Sequence, residues 1–312
     1  MKKEVTKTSR KPFPVHIVVF MAPAVIIYTV FMVFPLIDSL RLSFFTPDGQ
    51  GGAAFVGLGN YINLMTDELW SGRFWNALWN NFVFFFINML VQNPVGLLLA
   101  ALLSARKLRF RNSYRTMLFA PTMLSVVIVG FIWQLILSPL WGIAKGMMTF
   151  IGMEQFFMPW LGLESSALIV LALISVWQFI GIPMMLFYAA LLGIPDEMIE
   201  AAHVDGANPW QVFWGIKFPL ILPSVGIVSI LTYVGNFNAF DLIYAVQGGL
   251  AGPNYSTDIM GTLFYRTFFG FQLQLGNPTM GATVAGMMFM IILGGVLLYL
   301  YGWQRNIQTY EI

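Results

Sequence analysis

Six long apolar stretches constrain the fold of this sequence more than any other feature. Each has about 20 residues or more, the length that an α-helix needs to cross the hydrocarbon core of a bilayer. Only 10% of the 312 residues are charged and 58% are hydrophobic, whereas soluble domains carry about 25% charged residues. The sequence therefore predicts an all-α membrane protein with six transmembrane helices. The predicted spans cover residues 15–37, 78–103, 116–137, 166–192, 220–246 and 278–302.

The positions of lysine and arginine predict the orientation of these spans, because cytoplasmic loops retain positive charge. With the N-terminus inside, twelve of the 16 basic residues lie on the cytoplasmic side. Both termini are therefore predicted to be cytoplasmic, with a basic arm at residues 1–14 and one six-span domain at 15–312. The inner basic residues are Lys2, Lys3, Lys7, Arg10, Lys11, Arg106, Lys107, Arg109, Arg111, Arg115, Lys217 and Arg305.

Several kinds of chemistry are excluded by what the sequence lacks. The chain has no cysteine, which excludes disulfides, thiolate metal sites and cysteine nucleophiles, and two histidines argue against a histidine metal site. It contains no G-x-x-x-x-G-K-[ST] phosphate loop, so it cannot hydrolyse ATP by that route. The net charge of +2 is too small for a nucleic-acid-binding protein. We therefore predict a chain without catalytic residues, metal or bound cofactor.

The segment 193–219, between the fourth and fifth spans, is predicted to form two short helices. Pro195 suits the first turn of the first helix, and Asp196 complements its positive end. Gly206 is placed to end that helix in the left-handed conformation. Asn208 then caps a second helix that has Pro209 at its first position. We expect the Phe-Pro pair at 218–219 to break this helix before the fifth span.

The same segment carries a motif with specific spacing. It resembles the "EAA" loop of permease subunits of binding-protein-dependent ABC importers, and upstream residues 55–61 resemble an outer-loop pattern of the carbohydrate-uptake branch. The matching loop residues are Glu200, Ala201, Ala202, Asp205, Gly206, Ala207, Trp210, Phe213, Ile216, Pro219 and Pro223.

This resemblance implies a type I ABC importer permease in a bacterial or archaeal plasma membrane. It implies four kinds of partner: a second and usually different permease, two cytoplasmic ATPase subunits that use ATP and Mg, an extracytoplasmic solute-binding protein, and the lipid bilayer. Glu200 would lie at the ATPase contact, and Gly206 would permit the sharp turn. The residues expected to couple the chain to the ATPase are Glu200, Ala201, Ala202, Asp205, Gly206 and Pro209.

Polar and aromatic side chains within the predicted spans are candidates for the substrate pathway, because polar groups at membrane depth are costly. Sugar recognition needs amides or carboxylates beside aromatic faces. The candidates are Trp133, Gln134, Trp177, Gln178, Asn236, Asn238 and Asp241. The alternative is that these amides hold helices together, which we favour for Asn88 and Gln92.

Two other functions are compatible with a polytopic membrane protein. An ion-coupled secondary transporter could use intramembrane polar residues, but such carriers often show two related halves and embedded charges, and Asp241 is the only carboxylate within a predicted span. A membrane enzyme would need an acid-base or metal cluster. Asp67 and Glu68 have no histidine near them in the sequence.

Overall fold

The computed structural model describes residues 15–47, 52–105, 108–272 and 274–306. The predicted basic arm at 1–14 lies outside these residues, as do Arg106 and Lys107. The described chain is helical apart from one short hairpin. In the first half the elements are α1 Val15–Tyr28, α2 Phe34–Leu42, β1 Phe45–Pro47, β2 Ala53–Phe55, α3 Gly59–Thr66, α4 Glu68–Ile87, α5 Asn93–Leu103, α6 Arg111–Phe119, α7 Val126–Leu137 and α8 Ile143–Phe150.

In the second half the elements are α9 Ala167–Phe179, α10 Gly181–Leu192, α11 Asp196–Val204, α12 Pro209–Val212, α13 Phe218–Phe237, α14 Asp241–Gln247, α15 Met260–Phe269 and α16 Pro278–Leu298. Of these, α11, α12 and α14 are shorter than the other helices. Single 3-10 turns occupy Ala120–Met123, Glu154–Phe156, Trp160–Gly162, Pro253–Tyr255 and Gln304–Asn306.

Four continuous helices are long and apolar enough to cross a membrane. They are Ile17–Leu42, Glu68–Leu103, Pro209–Phe237 and Pro278–Trp303, and they contain the first, second, most of the fifth and the sixth predicted spans. Three further pairs of helices pass the same test together but are bent by more than 40°. The described residues thus provide four to seven spans. An all-helical membrane fold is confirmed, while the count of six and the sides of the termini stay predictions.

Three of the long helices contain a proline that follows a five-residue π-helical turn: Thr29–Val33 before Pro35, Asn88–Gln92 before Pro94, and Phe213–Lys217 before Pro219. Pro23 and Pro223 also lie inside helices, without such a turn directly before them. Proline lacks an N–H group and crowds the carbonyl one turn earlier, and a wider turn relieves this conflict. The predicted break at Phe218-Pro219 is therefore wrong, because α12, the π turn and α13 form one helix.

The third predicted span, 116–137, is not one straight helix. α6 ends at Phe119 and α7 begins at Val126, and the two helical segments are bent by 97°. Leu124 and Ser125 between them have ψ angles of 143° and 134°, which are not helical. Apolar composition predicted membrane location here but missed the break, which needs partners from a neighbouring helix.

The fifth predicted span, 220–246, was also wrong at both ends. The continuous helix begins earlier, at Pro209, and α13 ends at Phe237. A break at residues 238–240 separates it from α14, whose first residue is Asp241. The placement of Asp241 within a span is therefore corrected: it lies in the first turn of a separate short helix, where a carboxylate is favoured by the helix dipole.

The first predicted outer loop, 38–77, holds more regular structure than expected. β1 and β2 pair antiparallel, with Phe45 opposite Phe55. Asp67 caps α4 by accepting hydrogen bonds from the backbone N–H groups of Leu69 and Trp70. Because this cap lies eleven residues before the predicted start of the second span, α4 and α5 together extend well beyond the bilayer core.

Candidate transport pathway and coupling segment

A cavity of about 450 Å³ lies among α4, the π turn that follows it, α7, α9, α10, α13 and α14. Two irregular stretches face it: the π turn at Asn88–Gln92, within the continuous helix of α4 and α5, and the gap after α13. Such interruptions place polar backbone and side chains at a depth where a continuous helix would present only its apolar surface. Its walls are mostly apolar, with a few polar groups converging on the interior.

Buried polar side chains of the cavity are also bonded between helices. Asn88 donates to the Phe84 carbonyl at 2.9 Å and accepts a bond from the Ser175 hydroxyl at 3.4 Å. Gln92 donates to the carbonyl of Phe179 at 3.4 Å. The predicted role in holding helices together is confirmed for Asn88 and Gln92. Both nevertheless line the cavity, which we had not predicted.

Three of the predicted pathway residues meet in this cavity: Asn236, Asn238 and Asp241. Asn236 is buried near the end of α13 and donates to the carbonyl of Thr232 at 2.7 Å. Asn238 and Asp241 are exposed and flank the break between α13 and α14. The Thr232 hydroxyl, which the sequence gave no reason to select, also lines the cavity and donates to Asn93 at 3.1 Å.

The other four predicted pathway residues lie outside this cavity. The rings of Trp133 and Trp177 contact each other edge to face, 5.5 Å apart. Gln134 donates to the carbonyl of Val246, joining α7 to α14. Gln178 is fully buried and donates to the Leu124 carbonyl at 3.2 Å. These residues thus brace α7 and the break before it.

The break before α7 is held from both sides. The Thr122 hydroxyl donates to the backbone carbonyl of Gln178 at 3.0 Å, while the Gln178 amide bonds to Leu124. Gly181 allows the close approach, since a Cβ atom there would lie 2.9 Å from the Cα atom of Phe119. Reciprocal bonds of this kind satisfy the backbone groups that a broken helix leaves free.

Asn81 connects the end of α13, at the cavity, to the start of α15. Its amide donates to the Asn236 carbonyl at 3.0 Å, and its oxygen accepts from the Met260 N–H at 2.8 Å. Asn80 and Asn76, on the same helix, donate to carbonyls just before Met260 at 2.9 Å each. The side chain of Asn81 is completely buried. It thereby fixes the end of α13 relative to the start of α15.

A buried ion pair stabilises the loop beside this contact. Arg266 and Asp258, both 1% exposed, are 2.6 Å apart at their closest atoms. Arg266 also donates to the Gly249 carbonyl at 3.0 Å and lies 4.8 Å from the centre of the Tyr255 ring. Burial raises the pKa of the Asp258 carboxyl, and the Arg266 guanidinium opposes this rise by favouring the charged form. This network was missed because its members are scattered along an outer loop.

The predicted first short helix and the turn and cap that follow it in 193–219 are confirmed, whereas the second helix is the start of the long helix Pro209–Phe237 and is not short. α11 is followed by Gly206 with a φ angle of +81°, in the left-handed region that favours glycine. Asn208 caps α12 because its side-chain oxygen accepts from the Gln211 N–H at 2.9 Å. The Asn208 N–H in turn donates to the side-chain oxygen of Gln211, also at 2.9 Å. Pro195 differs from the expectation: it immediately precedes α11 rather than lying in its first turn.

The predicted coupling residues lie on the surface of this segment. Glu200, Ala201, Asp205, Gly206 and Pro209 are exposed, and Ala202 is half-buried. α11 covers a cavity of about 560 Å³, whose lining includes Glu200, Arg111 and Lys217. Next to it, the rings of Trp210 and Trp214 contact each other at 5.6 Å. A rigid pair of helices with an exposed acidic and small-residue face is thus available to another protein.

Residues 92–306 match the protein family described as "Binding-protein-dependent transport system inner membrane component". The chain belongs to this family. The importer assignment made from the spacing of the EAA residues is confirmed, and the alternative of an ion-coupled carrier is not supported. The protein is thus a multi-pass membrane component of an ABC transport system and a transport subunit.

Relatives with described roles match most of the chain. It is 31% identical to the lactose transport system permease protein LacF of Rhizobium radiobacter over 252 residues, covering 81% of this chain and 83% of LacF. It is 30% identical to the arabinooligosaccharides transport system permease protein AraP of Bacillus subtilis (strain 168) over 277 residues, covering 88% of this chain and 84% of AraP.

The fold matches a solved permease. A chain of a bacterial ABC transporter involved in the import of the acidic polysaccharide alginate superposes with a TM-score of 0.79 at 23% identity, covering 94% of this chain and 96% of that one. The likeness extends over nearly the whole length of both chains. The overall fold of this chain is therefore that of a chain in a solved ABC importer.

Proposed function

We propose that this protein is one permease subunit of an ATP-driven importer for a carbohydrate, an oligosaccharide or polyol. It works by alternating access and resides in a bacterial or archaeal plasma membrane. Its partners are a second, related but different permease, two ATPase subunits that bind ATP and Mg, and an extracytoplasmic solute-binding protein. The sugar transport roles of LacF and AraP support this substrate class. A transporter of similar fold is known in complex with a pentasaccharide-bound periplasmic protein.

The observation that carries the substrate proposal is the lining of the 450 Å³ cavity. Amide groups of Asn88, Gln92 and Asn238, the Thr232 hydroxyl and the Asp241 carboxylate face a mostly apolar enclosure. Sugars present many hydroxyl groups that both donate and accept hydrogen bonds, and amides can satisfy both roles. A single carboxylate adds a strong acceptor without forming a charged channel.

Coupling to the ATPase is proposed to use α11 and α12. Gly206 sets the sharp turn between them, and the Asn208 capping box fixes the start of α12. Because α12 continues through the π turn into α13, a force on α12 is transmitted along one helix to Thr232, Asn236 and the cavity. Movement of a packed helix as a rigid body is an established means of switching between conformations.

Glu200→Ala is expected to weaken association with the ATPase while leaving the second permease bound. Glu200 lies on the exposed face of α11, and removing one charged contact from a protein interface costs about 2 kcal/mol or more. The measurement is purification of the tagged chain from its native membrane, with mass spectrometric quantification of co-purified subunits. Since about 1.4 kcal/mol of binding free energy corresponds to a tenfold change in affinity, we expect ATPase recovery to fall tenfold or more.

Glu197→Ala is the matched control, because Glu197 is an exposed glutamate in the first turn of the same helix. It should leave ATPase recovery near that of the wild type. Equal losses in both variants would indicate a general charge effect and contradict the assigned role of Glu200. Absence of any ATPase from the wild-type preparation would contradict the importer proposal itself.

Asn238→Ala is expected to reduce substrate uptake by the assembled transporter about three- to tenfold at subsaturating substrate. The exposed amide faces the cavity, and one lost hydrogen bond is worth about 0.5–1.5 kcal/mol. Uptake of radiolabelled sugars into proteoliposomes, with binding protein and ATP supplied, provides the measurement. Lactose and an arabinooligosaccharide are suitable first substrates, given the relatives of this chain.

Asn63→Ala serves as the control for this experiment. Asn63 is an exposed amide on α3 and does not line the cavity. Its removal should leave uptake unchanged and so separate the cavity contact from general effects of amide loss. Uptake by Asn238→Ala at the wild-type rate over the whole substrate range would remove the cavity from the proposed pathway.

A further inference from the structure

A second open groove, of about 430 Å³, lies between α6 and α10 at the end of the bundle predicted to face the cytoplasm. It is separate from the transport cavity, and none of its lining residues belongs to the proposed coupling set. The groove is lined by Asn112, Arg115, Thr116 and Phe119 of α6 and by Met185 of α10.

The lining changes from polar to apolar along α6. Positions 112, 115–116 and 119 follow one another at helical spacing and share one face of the helix. The groove therefore begins with an amide, a guanidinium and a hydroxyl and ends between Phe119 and Met185. This is the order of chemistry along a phospholipid, in which a polar headgroup is followed by acyl chains.

In the described part of the chain, Arg115 forms no salt bridge with an acidic side chain. Its guanidinium lies 4.8 Å from the centre of the Tyr188 ring, and its buried Nε atom has no hydrogen-bond partner within the residues that the structure describes. In the sequence, no aspartate or glutamate occurs between Glu68 and Glu154. Five basic residues lie within that same stretch at positions 106–115. An anion from outside the chain would thus complement this charge.

We propose that the α6–α10 groove binds one anionic phospholipid of the inner leaflet. The phosphate lies at Arg115, with Asn112 and Thr116 as hydrogen-bonding neighbours, and an acyl chain runs along Phe119 and Met185. Basic pockets between transmembrane helices on the cytoplasmic side suit such headgroups because positive charge and bilayer depth coincide there. Here a guanidinium whose Nε atom has no hydrogen-bond partner among the described residues adjoins an apolar groove.

Bound lipid would have a structural consequence beyond charge neutralisation. α6 precedes the 97° break before α7, and α10 leads directly to α11 of the coupling segment. The Arg115–Tyr188 contact already joins α6 to α10. A phospholipid in the groove would therefore reinforce the support of the coupling segment from the membrane side.

The test uses the assembled transporter in nanodiscs that contain equal amounts of phosphatidylglycerol and phosphatidylcholine. Native mass spectrometry then measures which lipid the protein retains after release from the disc. We expect the wild type to retain phosphatidylglycerol preferentially and Arg115→Gln to reduce that preference about fivefold. Arg115→Lys keeps the charge and should retain most of the preference for phosphatidylglycerol. Arg73→Gln, which removes another arginine near an aromatic ring, should leave this preference unchanged.

Two further variants separate the lipid from other occupants. Met185→Trp fills the apolar part of the groove without altering charge and should also lower phosphatidylglycerol retention. The native chain has no cysteine, so Thr116→Cys can carry a short thiol-attached photo-crosslinker in native membranes, where we expect a phospholipid adduct. An adduct to a protein chain would overturn the proposal. Unchanged lipid preference in Arg115→Gln, or an equal loss in Arg73→Gln, would overturn it as well.

Discussion

Arg266→Leu is expected to lower the free energy of unfolding by about 3–5 kcal/mol, because it leaves the buried Asp258 carboxylate without its partner. The arginine also bonds to the Gly249 carbonyl and contacts the Tyr255 ring, so its loss loosens the whole segment before α15. The measurement is the midpoint of unfolding by SDS in mixed micelles, followed by circular dichroism. We expect the midpoint to fall far below that of the wild type.

Arg41→Leu is the matched control for this experiment. Arg41 also forms an ion pair, with Asp38 at 2.9 Å, but the two side chains are 69% and 50% exposed. An exposed pair contributes only about 0–1 kcal/mol, so the unfolding midpoint should change little. The double variant Asp258→Leu/Arg266→Leu should be more stable than Arg266→Leu alone, because no unpaired charge remains. A double variant that is no better would contradict this explanation.

Asn81→Leu is expected to cost about 2–4 kcal/mol of unfolding free energy and to lower transport as well. Leucine has a similar size but leaves the N–H of Met260 buried without its partner, which costs about 1–3 kcal/mol. It also removes one bond to the carbonyl of Asn236, worth about 0.5–1.5 kcal/mol, although that carbonyl still accepts from the N–H of Ala239. SDS unfolding measures the stability, and uptake into proteoliposomes measures the effect on the cavity that Asn236 lines.

Asn76→Leu provides the comparison on the same helix. Asn76 makes one similar bond, to the carbonyl of Tyr255 at 2.9 Å, but it lies in an exposed position. Water can replace that bond, so the cost should stay below about 1 kcal/mol. If both variants lost the same stability, burial of the Asn81 contacts would not be the reason, and the proposed connection between α13 and α15 would fail.

Local chemistry in the coupling segment could be predicted residue by residue. Glycine at 206 and the Asn-Pro pair at 208–209 act through their own backbone and immediate neighbours, so the turn and the cap followed from the sequence. The Phe-Pro pair at 218–219 was misinterpreted for the opposite reason. Proline need not end a helix where the preceding turn widens, as it does here over Phe213–Lys217.

The transport cavity could be predicted only in part. Asn236, Asn238 and Asp241 were selected as polar residues at membrane depth and do converge on it. Trp133, Gln134, Trp177 and Gln178 fitted the same chemical criterion but brace the break before α7. Composition identifies a polar group in an apolar stretch. It cannot tell which way the helix turns that group, because rotation is set by packing against neighbours.

By itself the sequence determined that the chain spans a membrane as helices, since apolar runs of this length have no other stable arrangement in a bilayer. It also determined the turn at Gly206, the cap at Asn208 and the family, because short-range spacing carries all three. Only the tertiary structure decided where helices break and which polar groups share a cavity. The bonds of Gln178, Asn81 and Arg266 join residues up to 179 positions apart, and no local pattern records which distant backbone group each will satisfy.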